Sequence, residues 1–145
     1  MRNKFALIIA IVLFNLIPNT AEADYISEEE LSKFAAVLFE IHSTQDEDAY
    51  LRLSHPMCPD LPEWRIKASI EDKWIKKDTN RISFKKPSDI FDFDVLNFKV
   101  KPEAVIEFQV MTQGTDQQIE LVTVYPVAKY NQEIKFIEYP CFEPK

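Results

Sequence analysis

The spacing of apolar residues changes near Asn80, and this change restricts the fold of the 145-residue chain more than any other feature. Before Asn80, apolar side chains recur three or four residues apart, the spacing of one face of an α-helix. After it, they alternate or run together and include many β-branched and aromatic residues, a pattern typical of strands. Helices followed by consecutive strands indicate an α+β domain.

Three helices are predicted before this change. "DYISEEELSKFAAVLFEIHS" carries a capping box at Ser27 and Glu30 and then an apolar stripe, which predicts a helix over Ile26–His42. "TQDEDAYLRLSHP" predicts a short helix that is capped by Thr44 or Asp46.

The third predicted helix is "EWRIKASIEDKWIKK". In this segment Ile66, Ile70 and Trp74 are four residues apart and share one face. We expect Trp74, and Trp64 beside this face, to be core residues.

Five segments after Asn80 are predicted strands, and the last three are expected to be consecutive and antiparallel. They read "RISFKK", "FDVLNFKVK", "EAVIEFQVMT", "QIELVTVYPVAKY" and "EIKFIEYP". Gly114 and Asn131 are expected in the connecting turns, since both tolerate a positive φ. Pro126 indicates a strand edge or a bulge. Apolar residues on both faces of the last strands predict that both sides of the sheet are covered, or that one lines a pocket.

The N-terminus, "MRNKFALIIAIVLFNLIPNTAEADY", has the layout of a secretory signal peptide over residues 1–23. Arg2 and Lys4 precede an apolar run over 5–17, and Ala21 and Ala23 suit a cleavage site. A membrane span needs about 20 apolar residues, so this run is too short. We therefore expect a periplasmic or secreted mature chain over 24–145, a single domain without a membrane segment. Its composition suggests a bacterial protein.

The acidic charge of the chain restricts its partners. The net charge is −7, and cleavage would remove two cations and one anion and leave −8. Such a balance disfavours nucleic acid and anionic membrane surfaces. A basic protein partner remains compatible with it.

The two cysteines, Cys58 in "HPMCPDLPEW" and Cys141, are expected to form a disulfide in an oxidising compartment. One alternative is a thiolate nucleophile at Cys58 activated by His55. A zinc site is the other, although the pair lacks a second set of ligands. Asp92 and its acidic neighbours do not match a calcium loop. No catalytic, cofactor-binding or metal-binding residue is assigned, and no cofactor is predicted.

The order of elements resembles the NTF2-like superfamily, in which a curved sheet wraps around a long first helix. The resemblance lies in the helix over Ile26–His42, in "DAYLRLSHP", and in the closing "VIEFQVMT…IELVTVYPVAKYNQEIKFIEY". It implies N-terminal helices packed on a curved antiparallel sheet; another helix-on-sheet, cystatin-like fold is the alternative. The superfamily includes isomerases and dehydratases with pocket acids as well as many non-catalytic binding modules.

We expect a non-catalytic exported binding module, either a small-ligand binder or an immunity or inhibitor protein. Its partner would be an unknown protein or a small apolar ligand, and its oligomeric state is left open. A small isomerase or dehydratase is the alternative, with Glu107 or Glu120 as a raised-pKa carboxylate in an apolar pocket. Alternation along the strands instead predicts that both carboxylates point to solvent. A third possibility is a subunit of an envelope assembly that docks through strand edges or the Pro-rich loop.

Overall fold

A computed structural model describes residues 25–71, 75, 80–113 and 118–145, apart from the side chains at 80, 110–113 and 118–121. The predicted signal peptide, Trp74 and the turn at Gly114 lie outside these residues. The elements in chain order are α1 (Glu28–Thr44), α2 (Glu47–Leu53), α3 (Glu63–Ile70), β1 (Asn80–Lys85), α4 (Pro87–Ile90), β2 (Leu96–Phe98), β3 (Ala104–Gln113), β4 (Gln118–Tyr130), β5 (Glu133–Phe136) and β6 (Phe142–Pro144).

Four strands form an antiparallel sheet in the order β1-β3-β4-β5, and β2 pairs with β6 in a separate two-stranded sheet. The turn between β4 and β5 contains Asn131 and Gln132 with φ of 50° and 69°. The prediction that the last three strand segments are consecutive and antiparallel is thus confirmed, as is the role of Asn131.

The first helix begins and packs as its local signals predict. Ser27 Oγ accepts a hydrogen bond from the Glu30 N–H, and Glu30 accepts one from the Ser27 N–H, which completes the capping box. The apolar stripe of α1 is buried against the sheet, where Phe39 meets Phe108 edge to face with centroids 5.2 Å apart. Helices packed on a curved antiparallel sheet confirm the α+β class.

The opposite face of the sheet, here called the outer face, is also covered. Side chains of β2, β6 and their flanks pack there with Cys141 against Ala128 and Ile137. Val105 and Ile106 are successive residues on opposite faces of β3, and both have no exposed surface. The predicted coverage of both faces is therefore found at this end of the sheet, whereas Val122 farther along the outer face is 48% exposed.

The structure corrects three details of the prediction. Trp64 is 67% exposed, because Ile66 and Ile70 define the buried face of α3 and Trp64 lies about 200° around the helix from Ile66. The helix α3 ends at Ile70, before the end of the predicted segment. A short helix, α4, occupies Pro87–Ile90, where no helix was predicted.

Pro126 lies at the point where the pairing of β4 with β5 ends. It continues the β3 register opposite Val105 without a bulge, and its carbonyl accepts the Ile137 N–H at 2.7 Å. Because the missing N–H of Pro126 would face the same side as this carbonyl, proline removes no bond from the β3 ladder. Pro126 therefore lies where β4 becomes an edge towards β5, and a strand edge is one of the two positions predicted for it.

Candidate functional site

The hairpin cleft is a concavity of about 610 Å³ between the end of α2, the loop over residues 54–61 and the β4–β5 hairpin. Its volume falls in the range of small-molecule sites. Its lining residues are Leu51, Arg52, Ser54, His55, Pro56, Cys58, Pro59, Asp60, Leu61, Tyr130, Asn131, Glu133 and Lys135.

His55 is the buried polar residue of this cleft, with only 4% of its surface exposed. Its backbone N–H donates to the Phe136 carbonyl at 2.9 Å, and its Nδ1 accepts the Met57 N–H at 3.2 Å. The ring meets Tyr130 edge to face, with centroids 5.3 Å apart. Because Nδ1 is an acceptor, the neutral ring carries its proton on Nε2. No nitrogen or oxygen atom of the described residues accepts a hydrogen bond from Nε2.

Burial lowers the pKa of His55 below its ordinary value of 6.5, and the nearby charge of Lys135 lowers it further. Both causes disfavour the imidazolium ion. His55 is therefore a neutral donor at pH 7.

The charges around His55 nearly cancel. Lys135 Nζ lies 2.8 Å from Glu133 Oε2 and donates to the Arg52 carbonyl, also at 2.8 Å. The hydrogen bond from Lys135 holds the pKa of Glu133 below its ordinary value. Asp60 adds one anion and the Arg52 side chain one cation. The Arg52 guanidinium has no hydrogen-bond partner or ion pair among the described residues.

A disulfide joins Cys58, which lines the hairpin cleft, to Cys141, with an S–S distance of 2.09 Å. The structure therefore contains the bond expected from the sequence, and neither cysteine is a free thiol. The hypothesis of a Cys58 thiolate activated by His55 is wrong for this form of the protein. Instead, the bond attaches the wall of the cleft to the buried Cys141 on the outer face of the sheet.

A second, smaller concavity of about 220 Å³ lies along β4 and is here called the edge pocket. Glu138 lies at its border and accepts three hydrogen bonds: from the Tyr50 hydroxyl at 2.9 Å, from Ser69 Oγ at 2.9 Å and from Arg65 Nε at 3.2 Å. The Arg65 guanidinium also lies over the Tyr139 ring, 5.2 Å from its centroid. Sequence reasoning missed this cluster, whose members come from α2, α3 and the segment after β5.

The other histidine, His42, lies in the interior rather than in either concavity. Its Nε2 is 3.1 Å from the Tyr125 hydroxyl, and its Nδ1 is 3.3 Å from the Ile70 carbonyl. Its position four residues after Leu38 on the apolar stripe of α1 is a signal that could have indicated this burial.

Of the two proposed catalytic acids, Glu107 has a described side chain and Glu120 does not. Glu107 is on the outer face, is 7% exposed and accepts hydrogen bonds from Ser83 Oγ and Gln109 Nε2. The expectation that Glu107 points to solvent is therefore wrong, because neighbouring polar side chains satisfy it in a buried place. Glu120 lies opposite Met111 in the register, but its side chain is outside the described residues.

The described residues contain no group of three or more His, Cys, Asp or Glu side chains that could hold a metal ion. None of their helices is long and apolar enough to cross a membrane.

Comparisons with known proteins give one similarity. No protein-family model matches the chain, and no curated protein matches it. Among solved structures, a designed NTF2-like protein is 16% identical, with 76% of this chain and 95% of that chain covered and a TM-score of 0.40. The helices on a curved antiparallel sheet are consistent with the NTF2-like fold, and membership of the superfamily stays a prediction.

Proposed function

We propose that this protein is a non-catalytic exported binding module, periplasmic or secreted, and that the hairpin cleft holds its ligand. The ligand is a small molecule with an apolar body and an oxygen atom that accepts a hydrogen bond from the His55 Nε2–H group. Export is supported by the pattern of residues 1–23 and by the disulfide, since such bonds persist in oxidising compartments.

The proposal depends on one observation: the buried Nε2–H group of His55 has no described hydrogen-bond acceptor. A buried donor without an acceptor is costly, so almost all such groups in native proteins have a partner in the protein or outside it. The Nε2 proton of His55 has no described acceptor, while the residue borders a cleft large enough for a ligand. An oxygen of a bound molecule would satisfy it.

The rest of the cleft fits a small and partly apolar ligand. Leu51 and Tyr130 are large apolar residues with 41% and 37% of their surfaces exposed, and both line the cleft. Because Lys135 is already paired with Glu133, the remaining cation is Arg52. Arg52 would favour a carboxylate over an amide with the same carbon chain.

The catalytic alternative has less support. It requires Glu107 or Glu120 in an apolar pocket, whereas the Glu107 carboxylate accepts hydrogen bonds from the polar side chains of Ser83 and Gln109.

Three probes of similar size test the proposal: hexanoate, hexanamide and hexylamine. Hexanoate and hexanamide carry an oxygen acceptor, whereas hexylamine does not. In two-dimensional NMR we expect the first two to shift the His55 ring signals and the Met57 amide, because Met57 donates to the same ring. Hexylamine should leave these signals unchanged. Equal shifts from all three probes, or none from any, would contradict the proposal.

Two variants identify the recognition groups. His55→Phe keeps a ring but removes the donor, and it should abolish binding of both acceptor probes. Arg52→Ala should weaken hexanoate more than hexanamide, while the exposed Lys86→Ala, outside the cleft, serves as its charge-matched control. Undiminished binding to a folded His55→Phe variant would overturn the assignment of the donor.

A further inference from the structure

Among the described residues, the part of β4 that precedes Pro126 has no neighbouring strand on the side where β5 would continue, and this side is here called the open edge. Although β4 spans Gln118–Tyr130, its pairs with β5 run only from Val127 to Tyr130. The last contact on this side is the bond from the Ile137 N–H to the Pro126 carbonyl. No strand among the described residues lies beside the preceding part of β4 on this side.

The direction of the backbone groups follows from two hydrogen bonds. The Val127 carbonyl accepts the Glu103 N–H on the β3 side, whereas the Pro126 carbonyl points to the β5 side. Backbone groups of alternate residues in a strand face the same edge. The register with β3 has no bulge, so Val122 and Val124 present both N–H and C=O to the open edge.

The edge pocket lies against this open edge and has two chemically different sides. On the outer face its lining is apolar, with Val124, Phe91 and Phe142. On the helix face it is polar, with Arg65 and Ser69 of α3. An added strand would place successive side chains alternately on these two sides.

Two contacts fix the position of the Arg65 guanidinium at the edge pocket. Its Nε is bonded to Glu138, and its guanidinium lies over the Tyr139 ring. Both oxygens of Glu138 are already occupied by Tyr50 and Ser69 as well as by Arg65. The Nη atoms of Arg65 have no described hydrogen-bond acceptor, and so they remain available to an oxygen of a partner side chain.

We propose that the open edge of β4 binds an extended segment of a partner protein by strand addition. The segment carries a Val- or Leu-sized side chain for the outer, apolar side, next to a Glu or Gln side chain for Arg65. Backbone hydrogen bonds to Val122 and Val124 give affinity, and the two sides of the edge pocket give specificity. This surface is separate from the hairpin cleft and does not depend on the ligand proposed there.

The test uses acetyl-Val-Glu-Val-Glu-Val-amide and two N-methylated forms of it. One form is methylated at the odd residues and the other at the even residues, so that each loses the N–H groups of one strand edge. We expect the parent peptide to shift the Val122 and Val124 amides in NMR. One methylated form should bind about as well, and the other should bind at least about tenfold more weakly.

Variants of the protein separate backbone from side-chain recognition. Val122→Pro removes an N–H that faces away from β3, so it should keep the fold, as judged by circular dichroism, and lose the peptide. Val122→Thr keeps the N–H and should still bind. Arg65→Gln should weaken the peptide that carries Glu and leave one that carries Val at those positions unaffected.

Several outcomes would overturn the proposal. Equal binding of both methylated forms would exclude pairing along one strand edge. Dimers in sedimentation that Val122→Pro abolishes would show that a second copy occupies the edge. Protection of the Val124 amide that disappears when residues 1–23 are removed would assign the edge to this chain's own N-terminus.

Discussion

Tyr50 and Glu138, 88 residues apart in the chain, are joined by a hydrogen bond of 2.9 Å from the phenol hydroxyl to Oε2. Tyr50 on α2 has no exposed surface, and Glu138 directly follows the last residues that pair with β4. Burial raises the pKa of Tyr50, and Tyr125 and Glu138 raise it further, so the hydroxyl stays a donor. The bond therefore ties the helical layer to the end of the sheet.

Tyr50→Phe should lower the free energy of unfolding by about 1–3 kcal/mol, because it removes a bond to a charged acceptor and keeps the ring in place. Urea denaturation measures this change. Tyr130→Phe is the matched control, since Tyr130 is 37% exposed and its hydroxyl has no described hydrogen bond. If the two variants lose equal stability, the Tyr50–Glu138 bond contributes nothing specific.

The disulfide should contribute more than any single hydrogen bond. Cys58 and Cys141 are 83 residues apart, and closing a loop of this length is worth about 4–5 kcal/mol in the chain-entropy model. The double variant Cys58→Ala, Cys141→Ala should lose about this much in urea denaturation. Reductant should destabilise the parent protein and leave the double variant unchanged. A parent protein with two free thiols under native conditions would contradict the bond.

The parts of the fold that the sequence predicted have local causes. Ser27 and Glu30 lie three residues apart and meet within one turn of α1. The β4–β5 pair depends on a two-residue turn at Asn131 and on strands that adjoin it in the chain. Such signals can be read from short windows of sequence, because the interacting groups are close in the chain.

The parts that were missed depend on contacts between distant segments. The strand β6 is three residues long, too short to show a period, and it exists because it pairs with β2, which lies inside a predicted strand segment. His55 lies in the segment predicted as a short helix, and nothing in that segment indicates its contacts with Phe136 and Tyr130 of the hairpin. Arg65 and Glu138 are 73 residues apart in the chain and likewise meet only in the folded protein. The candidate sites were therefore less predictable than the elements that carry them.

Lowering the pH should destabilise the protein through His55. Its folded pKa lies below its ordinary 6.5, so the unfolded chain binds more protons as pH falls below about that value. Stability attributable to His55 is therefore present above pH 6.5 and lost between 6.5 and the folded pKa. Unfolding between pH 7.5 and 5 should show this loss in the parent protein and a smaller one in His55→Phe.

Burial is the larger cause of the lowered His55 pKa, and the part that the charge of Lys135 adds can be tested directly. Lys135→Met removes the nearby positive charge and should raise the pKa of the ring towards 6.5, as followed by NMR titration of its carbon-bound protons. Lys101→Met, which removes a cation near Phe93, is the control. A ring that titrates at 6.5 or above in the parent protein would exclude the neutral donor on which the proposed cleft chemistry depends.

The capping box of α1 should make the free energy of unfolding fall at acidic pH. The Ser27 N–H and then Lys129 hold the pKa of Glu30 at about 2, below its ordinary 4.5. Because the folded pKa is depressed, the contribution of Glu30 is fully present above about 4.5 and is lost as pH falls to about 2. Glu30→Gln should be less stable than the parent at pH 7, and the difference in urea denaturation should shrink across this window. Glu28→Gln is the control, because it removes a charge from the same first turn and leaves the Ser27–Glu30 capping box intact. If the stability of this variant depends on pH in the same way, the effect comes from the helix dipole instead.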